Sequence, residues 1–403
     1  MATEIGYGGT TAWLQVLACH LVCFVTWGLI TSYGIFQSHY EETMTRTPSE
    51  ISWIGTMQIF MLLLVGTISG RASDAGLAHE AVLLGSVLVV LGLFMTSLST
   101  QYYQLFLSQG ICIGLGMGTL YMPALSVASS YFKEKKSFAV ALTSSGAGSG
   151  GLVYPAMVQQ LLPRVGFGWT LRSMAFVTLA LAIAINLLLR VRVPPRRSGS
   201  LIDWRAFTEI PYVFFGIGFF LIYWAVYFAF YYIDTYGHKY AGFTSLDSIN
   251  ILLISNGLGI PGRILPGYIA AHWCGPLNTA IPTATLVAVI LYCWIALGSS
   301  SSGLYVYAAV YGLVASAIQA LFAVSLAALT DDLSRLGTRM GMIFSFVAFA
   351  SLTGSPVAGA LINADGGRYV GAQIWAATSM ACGAVALLVA RIARTGLILN
   401  TKI

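Results

Sequence analysis

Apolar and polar positions alternate along this chain in long blocks. Twelve apolar segments lie at 13–37, 50–71, 80–98, 102–131, 137–162, 170–190, 208–233, 246–271, 277–297, 303–329, 340–363 and 370–393, with short polar breaks between them. Crossing a bilayer as a helix takes ~20 apolar residues, and most of these blocks reach that length. The longest polar break, RVRVPPRRSGSLIDWRAF at 190–207, carries five arginines and two prolines and falls between the sixth and seventh segments. The pattern predicts an all-α integral membrane protein: twelve transmembrane helices in two six-helix halves, 1–190 and 208–403, joined by a linker at 191–207.

Composition narrows the class. Of the 403 residues 57% are hydrophobic and 8% charged, whereas a soluble domain carries about a quarter charged residues. Lipid has to be the solvent. Five of the cysteines (Cys19, Cys23, Cys112, Cys293 and Cys382) fall in apolar segments, and Cys274 falls at a loop. They read as small packing hydrophobes rather than as a disulfide framework. The opening MATEIGYGGTTAW lacks a basic stretch, so no cleavable leader is expected.

Charge then sets the orientation. With the N-terminus in the cytoplasm, 14 of the 20 Lys and Arg fall in inward-facing breaks and 5 in outward-facing ones, leaving Arg263 inside a segment. This bias predicts that both termini and the linker are cytoplasmic; the expected host is the plasma membrane. It also assigns the +6 net charge to the lipid headgroup zone and away from nucleic acid. The expected partners are membrane lipid and a small organic substrate, a carboxylate, with the chain acting as a monomer and needing no cofactor or metal.

Catalysis is not expected. Nearly all 14 acidic residues lie in the breaks, and no H-E-x-x-H, G-x-S-x-G or Walker A pattern occurs. The chemistry concentrates instead in GIPGRILPGYIAA, 259–271, where Arg263 stands in an apolar segment with no acid within a helical turn. A guanidinium keeps its charge, and its burial in hydrocarbon is costly. Asn256, Gly259 and Arg263 share one helical face, which suits a polar cavity and a carboxylate held by a bidentate fork. The structural alternative is a bond to carbonyls freed by Pro266. His20, Phe24, Trp27 and Thr31 share a face of the first segment, and Tyr223, Tyr227, Tyr231 and Asp234 recur at helical spacing in the seventh. From these, His20, Thr31, Tyr223 and Tyr227 join Gln58, Tyr121, Tyr311 and Gln319 as candidate cavity-lining groups. For each, a hydrogen-bonded structural role is the competing reading.

The halves repeat weakly. A basic cluster, then small residues, then proline recurs in YFKEKK…SSGAGSGGLVYP and RLGTRMG…LTGSPVAG, and Gly70-Arg71 answers Gly262-Arg263. Repeated six-helix halves belong to major facilitator transporters. The stretches YGGTTAWLQVLACHLVCFVTWGLITSYGIFQSHY, ISWIGTMQIF, YFKEKKSFAVALTSSGAGSGGLVYP and GRILPGYIAAHWCGPLN resemble the fungal branch of the monocarboxylate transporter-like family of that superfamily. The resemblance covers nearly the whole chain.

What it implies is a secondary transporter for a monocarboxylate or related organic anion, with the substrate between the halves and Arg263 on its anionic group. Two alternatives stay open: an exporter of a larger planar or aromatic metabolite, and a non-transporting sensor. The chain also departs from the family. Tyr7 stands where an acid precedes the paired glycines, Thr31 replaces the lysine of the first segment, and Gly259 replaces the aspartate one turn before the arginine. The resemblance therefore implies weak or absent proton coupling, with His20 the only obvious membrane-embedded side chain of a type whose unperturbed pKa lies near neutrality. The superfamily's loop signature survives as Gly70, Asp74 and Gly76 without its trailing basic pair. By that resemblance these three residues gate.

Overall fold

The computed structural model describes residues 9–132, 136–191, 202–330, 335–396, 398 and 401–402. Of the linker at 191–207, residues 192–201 lie outside the described residues, and Asp74 is described by its backbone alone. Every regular element among the described residues is helical. Lipid offers the backbone no hydrogen bonds, so each span must satisfy its own.

The elements in order are α1 (Thr10–Thr31), α2 (Tyr33–Thr43), α3 (Pro48–Asp74), α4 (Ala78–Thr96) and α5 (Tyr102–Leu105). A π-helical stretch, Phe106–Ile113, leads from α5 into α6 (Gly114–Ser130). Then come α7 (Lys136–Ser144), α8 (Gly146–Leu188), α9 (Ile210–Ala241), α10 (Ser245–Ile269), α11 (Pro276–Leu297), α12 (Ser301–Leu329), α13 (Leu336–Ala364) and α14 (Val370–Thr395).

Among the described residues ten helices are long and apolar enough to cross a membrane. One of these, Ala139–Leu188, runs for 50 residues and carries both the fifth and sixth expected spans. It breaks at Gly166, where φ 75° and ψ 172° suit glycine alone. The remaining span is α10, whose 25 residues are long enough to cross but are diluted by Asn256, Arg263 and two prolines. All twelve expected segments thus appear as helix.

Two boundaries differ from the sequence pattern. The first span is interrupted at Ser32, whose hydroxyl donates to the Gly28 carbonyl at 2.6 Å, a back-bond that bends helices. The seventh continues past 233 to Ala241, because its polar end still finds helical partners until Gly242 turns left-handed at φ 65°. There the Phe243 N–H closes the cap on the Gly237 carbonyl at 3.2 Å.

Within the first part of the chain α1 packs on α8, and α3 and α4 pack on α6; within the second, α9 packs on α13 and α14, and α10 and α11 on α12. Between the two groups run α3 against α13, α8 against α10, and α2 against α9. Small residues bring the helices together: a methyl at Gly150 would lie 2.1 Å from the Phe24 carbonyl oxygen. Such close approach drives helix association in lipid. The stretch leading into α9 is tied down by Arg339 of α13. Its Nε donates to Asp203 at 3.1 Å and its Nη1 to Glu209 at 2.8 Å. Tyr212 donates to the Arg339 carbonyl at 3.0 Å.

Candidate functional site

The centre of the candidate site is Arg263, 4% exposed on α10. Its Nη1 donates to the Gly259 carbonyl at 3.0 Å, one turn back on the same helix. Among the described residues no acidic side chain is paired with it. Gly259 makes this posture possible. A methyl there would lie 2.8 Å from Arg263 Nη1 and 2.6 Å from Ser316 Oγ on α12.

Tyrosines from two other helices converge on the guanidinium. Tyr223 and Tyr227 of α9, Tyr121 of α6 and Cys23 of α1 all lie within its electrostatic reach. Ring packing fixes them: Tyr121 meets Trp27 edge-on at 5.8 Å, Tyr223 lies 6.1 Å from Tyr227, and Phe322 sits 5.3 Å from Tyr223. The Tyr227 hydroxyl is buried without a hydrogen-bond partner, and so is Asn256 Nδ2. Each orphan is a donor available to an oxygen-bearing ligand. Asn256 and Thr31 meet beside Gly151 of α8, where a methyl would lie 2.6 Å from Asn256 Oδ1 and 2.7 Å from Thr31 Oγ1. The Thr31 hydroxyl itself donates to the Gly28 carbonyl at 3.2 Å.

Arg263 also lines a cavity of about 290 Å³. Ala141 of α7, Gly267 of α10, Ala270, and Val324 and Ala328 of α12 form its smooth apolar wall. Lys402 lines it too and is exposed, with its Nζ donating to the His272 carbonyl at 2.8 Å. Among the described residues no carboxylate lines this cavity. An apolar wall with cations is suited to an amphiphilic anion.

Other candidates lie elsewhere. His20 ties α1 to the α7–α8 junction, with Nδ1 3.1 Å from the Leu142 carbonyl and Nε2 3.1 Å from Ser149 Oγ. The Nδ1–H tautomer satisfies both contacts while neutral. Gln58 faces a small void among Leu29, Leu93 and Leu171 inside the first group of helices. Tyr311 donates to the Val226 carbonyl at 2.5 Å and stacks on Tyr307, as a strut between α12 and α9. Gln319, half-buried, bonds its own helix at the Ala315 carbonyl, 3.2 Å away. Gly70 packs beside Met122 of α6. Gly76, at φ 95°, caps α3 with its N–H on the Ser73 carbonyl at 3.0 Å. The Asp74 side chain lies outside the described residues.

Cys23 and Ser316 were not among the sequence candidates. Helical spacing from His20 selects Phe24 and Trp27, and Cys23 lies one residue, about 100°, off that face. Ser316 lies one turn before Gln319, the residue the pattern favoured.

Comparison with known proteins completes the description. A family model described as Major Facilitator Superfamily matches residues 16–298. An MFS-type transporter of Gibberella zeae is 43% identical over 386 residues, covering 95% of this chain and 87% of its own length. The MFS-type transporter dbaD of Emericella nidulans is 35% identical, over 88% of this chain and 80% of its own length. The aspyridones efflux protein apdF of the same fungus is 32% identical, over 94% of this chain and 77% of its own length.

Proposed function

The chain belongs to the major facilitator superfamily, and from that premise we propose that it is a secondary transporter exporting an organic-anion metabolite. In this reading the halves 1–190 and 208–403 alternate around the substrate, the linker and both termini face the cytoplasm, and the host is the plasma membrane. Arg263 holds the anionic group. The observation that carries the reading is this buried guanidinium, unpaired with any acid among the described residues, lining a cavity without carboxylates. Burying an ion without a counter-charge is costly, and an anionic ligand relieves that cost.

Size favours a metabolite larger than a lactate-like acid. The cavity's volume of about 290 Å³ reaches the lower edge of drug-sized ligand pockets, ~300–1,000 Å³. The aromatic groups around Arg263 suit a planar body. One relative's name, aspyridones efflux protein, points the same way, towards export of a secondary metabolite. The monocarboxylate transporter-like placement remains part of the proposal.

The test is flux in proteoliposomes, comparing planar organic acids with their neutral amides. Acids are expected to move and to compete, and amides to do neither. Equal flux of an acid and its amide would overturn the anion reading. Binding without flux for every acid would favour the sensor.

A further inference from the structure

The junction between α2 and α9 is sealed by a buried polar cluster that the Arg263 site does not use. Asp234 of α9 is 2% exposed. Its Oδ2 accepts a hydrogen bond from Ser38 of α2. Its Oδ1 has no hydrogen-bond partner and lies 3.6 Å from His238 Nε2, one turn along α9. Glu41 of α2 is half-buried, accepts from Gln37 Nε2 at 2.9 Å, and is within electrostatic reach of Asp234. The side-chain oxygen of Gln37, 0% exposed, also lacks a donor. Two carboxylates and two orphaned acceptors therefore meet in a junction short of hydrogens.

The surrounding helices supply little positive charge. Tyr369, preceding α14, reaches both carboxylates but donates to Thr235 Oγ1 at 3.1 Å. Tyr232 donates to the Ser355 carbonyl of α13 at 3.2 Å. Asp247 at the start of α10 interacts with His238 and accepts from Tyr305 of α12 at 2.9 Å. Lys239 is engaged at the Gly367 carbonyl, 2.7 Å away, and Arg368 pairs with Asp365 at 2.6 Å. Arg46 pairs with Glu50 at 3.2 Å. Among the described residues beside the carboxylates, His238 can gain positive charge.

We infer that Asp234 and Glu41 form a proton-binding site that takes up one proton from solvent as α2 and α9 close on each other. Separated and hydrated, both carboxylates ionise freely. Brought together in a dry junction they repel, and desolvation adds to the cost. A proton on either carboxylate removes one charge and turns an acceptor into a donor. A proton on His238 has the same net effect on the charge of the cluster. Closure therefore binds a proton, and lower pH favours the closed junction. The absence of an acid at Gly259 argued against coupling there, and this site reopens proton coupling elsewhere in the fold. The inference rests on the alternating-access reading but not on Arg263.

The test needs no substrate. Full-length protein in lipid nanodiscs carries click-attached distance probes at Thr43 and Ala364, exposed on α2 and α13. Lowering the pH from about 8 to about 5.5 is expected to raise the closed-to-open ratio about tenfold, the effect of one bound proton once the pH lies ~1 unit below the pKa of the closed pair. Asp234→Asn should flatten the response. Glu41→Gln, at a half-buried position, should weaken it at least threefold. A wild type without a pH response overturns the proposal. So does a Glu41→Gln variant with the full response, whether or not Asp234→Asn folds. Either result with acid flux intact leaves the Arg263 reading standing. A pH-dependent junction without acid flux removes only that reading.

Discussion

At the scale of single residues, Arg263 and Gly259 act as one device. The guanidinium folds back on its own helix because position 259 carries no side chain. Its remaining donors are left for a ligand. Arg263→Gln is expected to cut acid transport ~10- to 100-fold, the worth of a lost charge-assisted hydrogen bond, with normal folding judged by monodisperse elution. Arg263→Lys keeps the charge but not the planar fork, and should lose about tenfold. Normal acid affinity in the Gln variant would exclude Arg263 from the site. Gly259→Ala should impair acid transport by pushing the guanidinium off the Gly259 carbonyl, and a neutral effect in the same flux assay would show that this posture is unimportant. The arginine was legible in the sequence because an isolated charge in an apolar block is conspicuous. Cys23 and Ser316 were not, since small side chains carry no signal until neighbouring helices place them. Tyr311 shows the opposite failure: a tyrosine in a span needs a hydrogen-bond partner, but the sequence does not say whether that partner is a ligand or, as here, the Val226 carbonyl.

At the scale of elements, the spans were readable because apolar length alone decides whether a helix can cross. The joints were less so. Nothing in the apolar pattern revealed the Ser32 break or the polar extension of α9, because hydrogen bonds and a left-handed glycine govern both. The tie of Asp203 and Glu209 to Arg339 was hidden for the same reason, as its partners are distant in sequence. Burial alone would raise the Asp203 carboxyl, but the Arg339 hydrogen bond and the charges of Arg339 and Arg335 hold it below its ordinary value. The sign follows directly. A folded-state pKa below the unfolded one gives stability that is present above the unfolded value, about 4, and lost as pH falls through the folded value. Asp203→Asn should therefore lower the thermal unfolding temperature near neutrality, and the difference from wild type should shrink as the medium becomes acidic. A gap independent of pH would show that charge is not the cause. Arg339→Ala leaves two acids facing each other and should cost about 2 kcal/mol, below the usual range for a broken buried pair because Glu209 is partly solvated.

At the scale of the whole molecule, the two groups of helices touch along α3–α13 and α8–α10 and close between α2 and α9, while the Arg263 cavity lies towards the end that carries Lys402. The contact at the closed end is intimate: the Tyr33 and Tyr231 rings pack at a tilt of 54° with centroids 4.9 Å apart, and Ser49 donates to the Pro356 carbonyl at 3.0 Å. The orientation proposed above rests on charge. The α3–α4 turn, the 190–207 stretch and the C-terminal residues carry Arg71, the linker arginines, Arg391, Arg394 and Lys402, and such residues are retained on the cytoplasmic side. In the proposed orientation the Lys402 end is cytoplasmic, and an exporter would load its anion from there. Asp74, on the same side, should affect turnover more than apparent affinity when changed to Asn, as the gating role implied by the resemblance requires. The orientation itself is checked by inserting a protease site after Ser198. Cleavage is expected only when protease is added from the cytosolic face, in inverted vesicles but not in intact cells. Cleavage in intact cells alone would place the Arg263 cavity on the outside, reverse the direction of loading, and recast the same site as one for uptake.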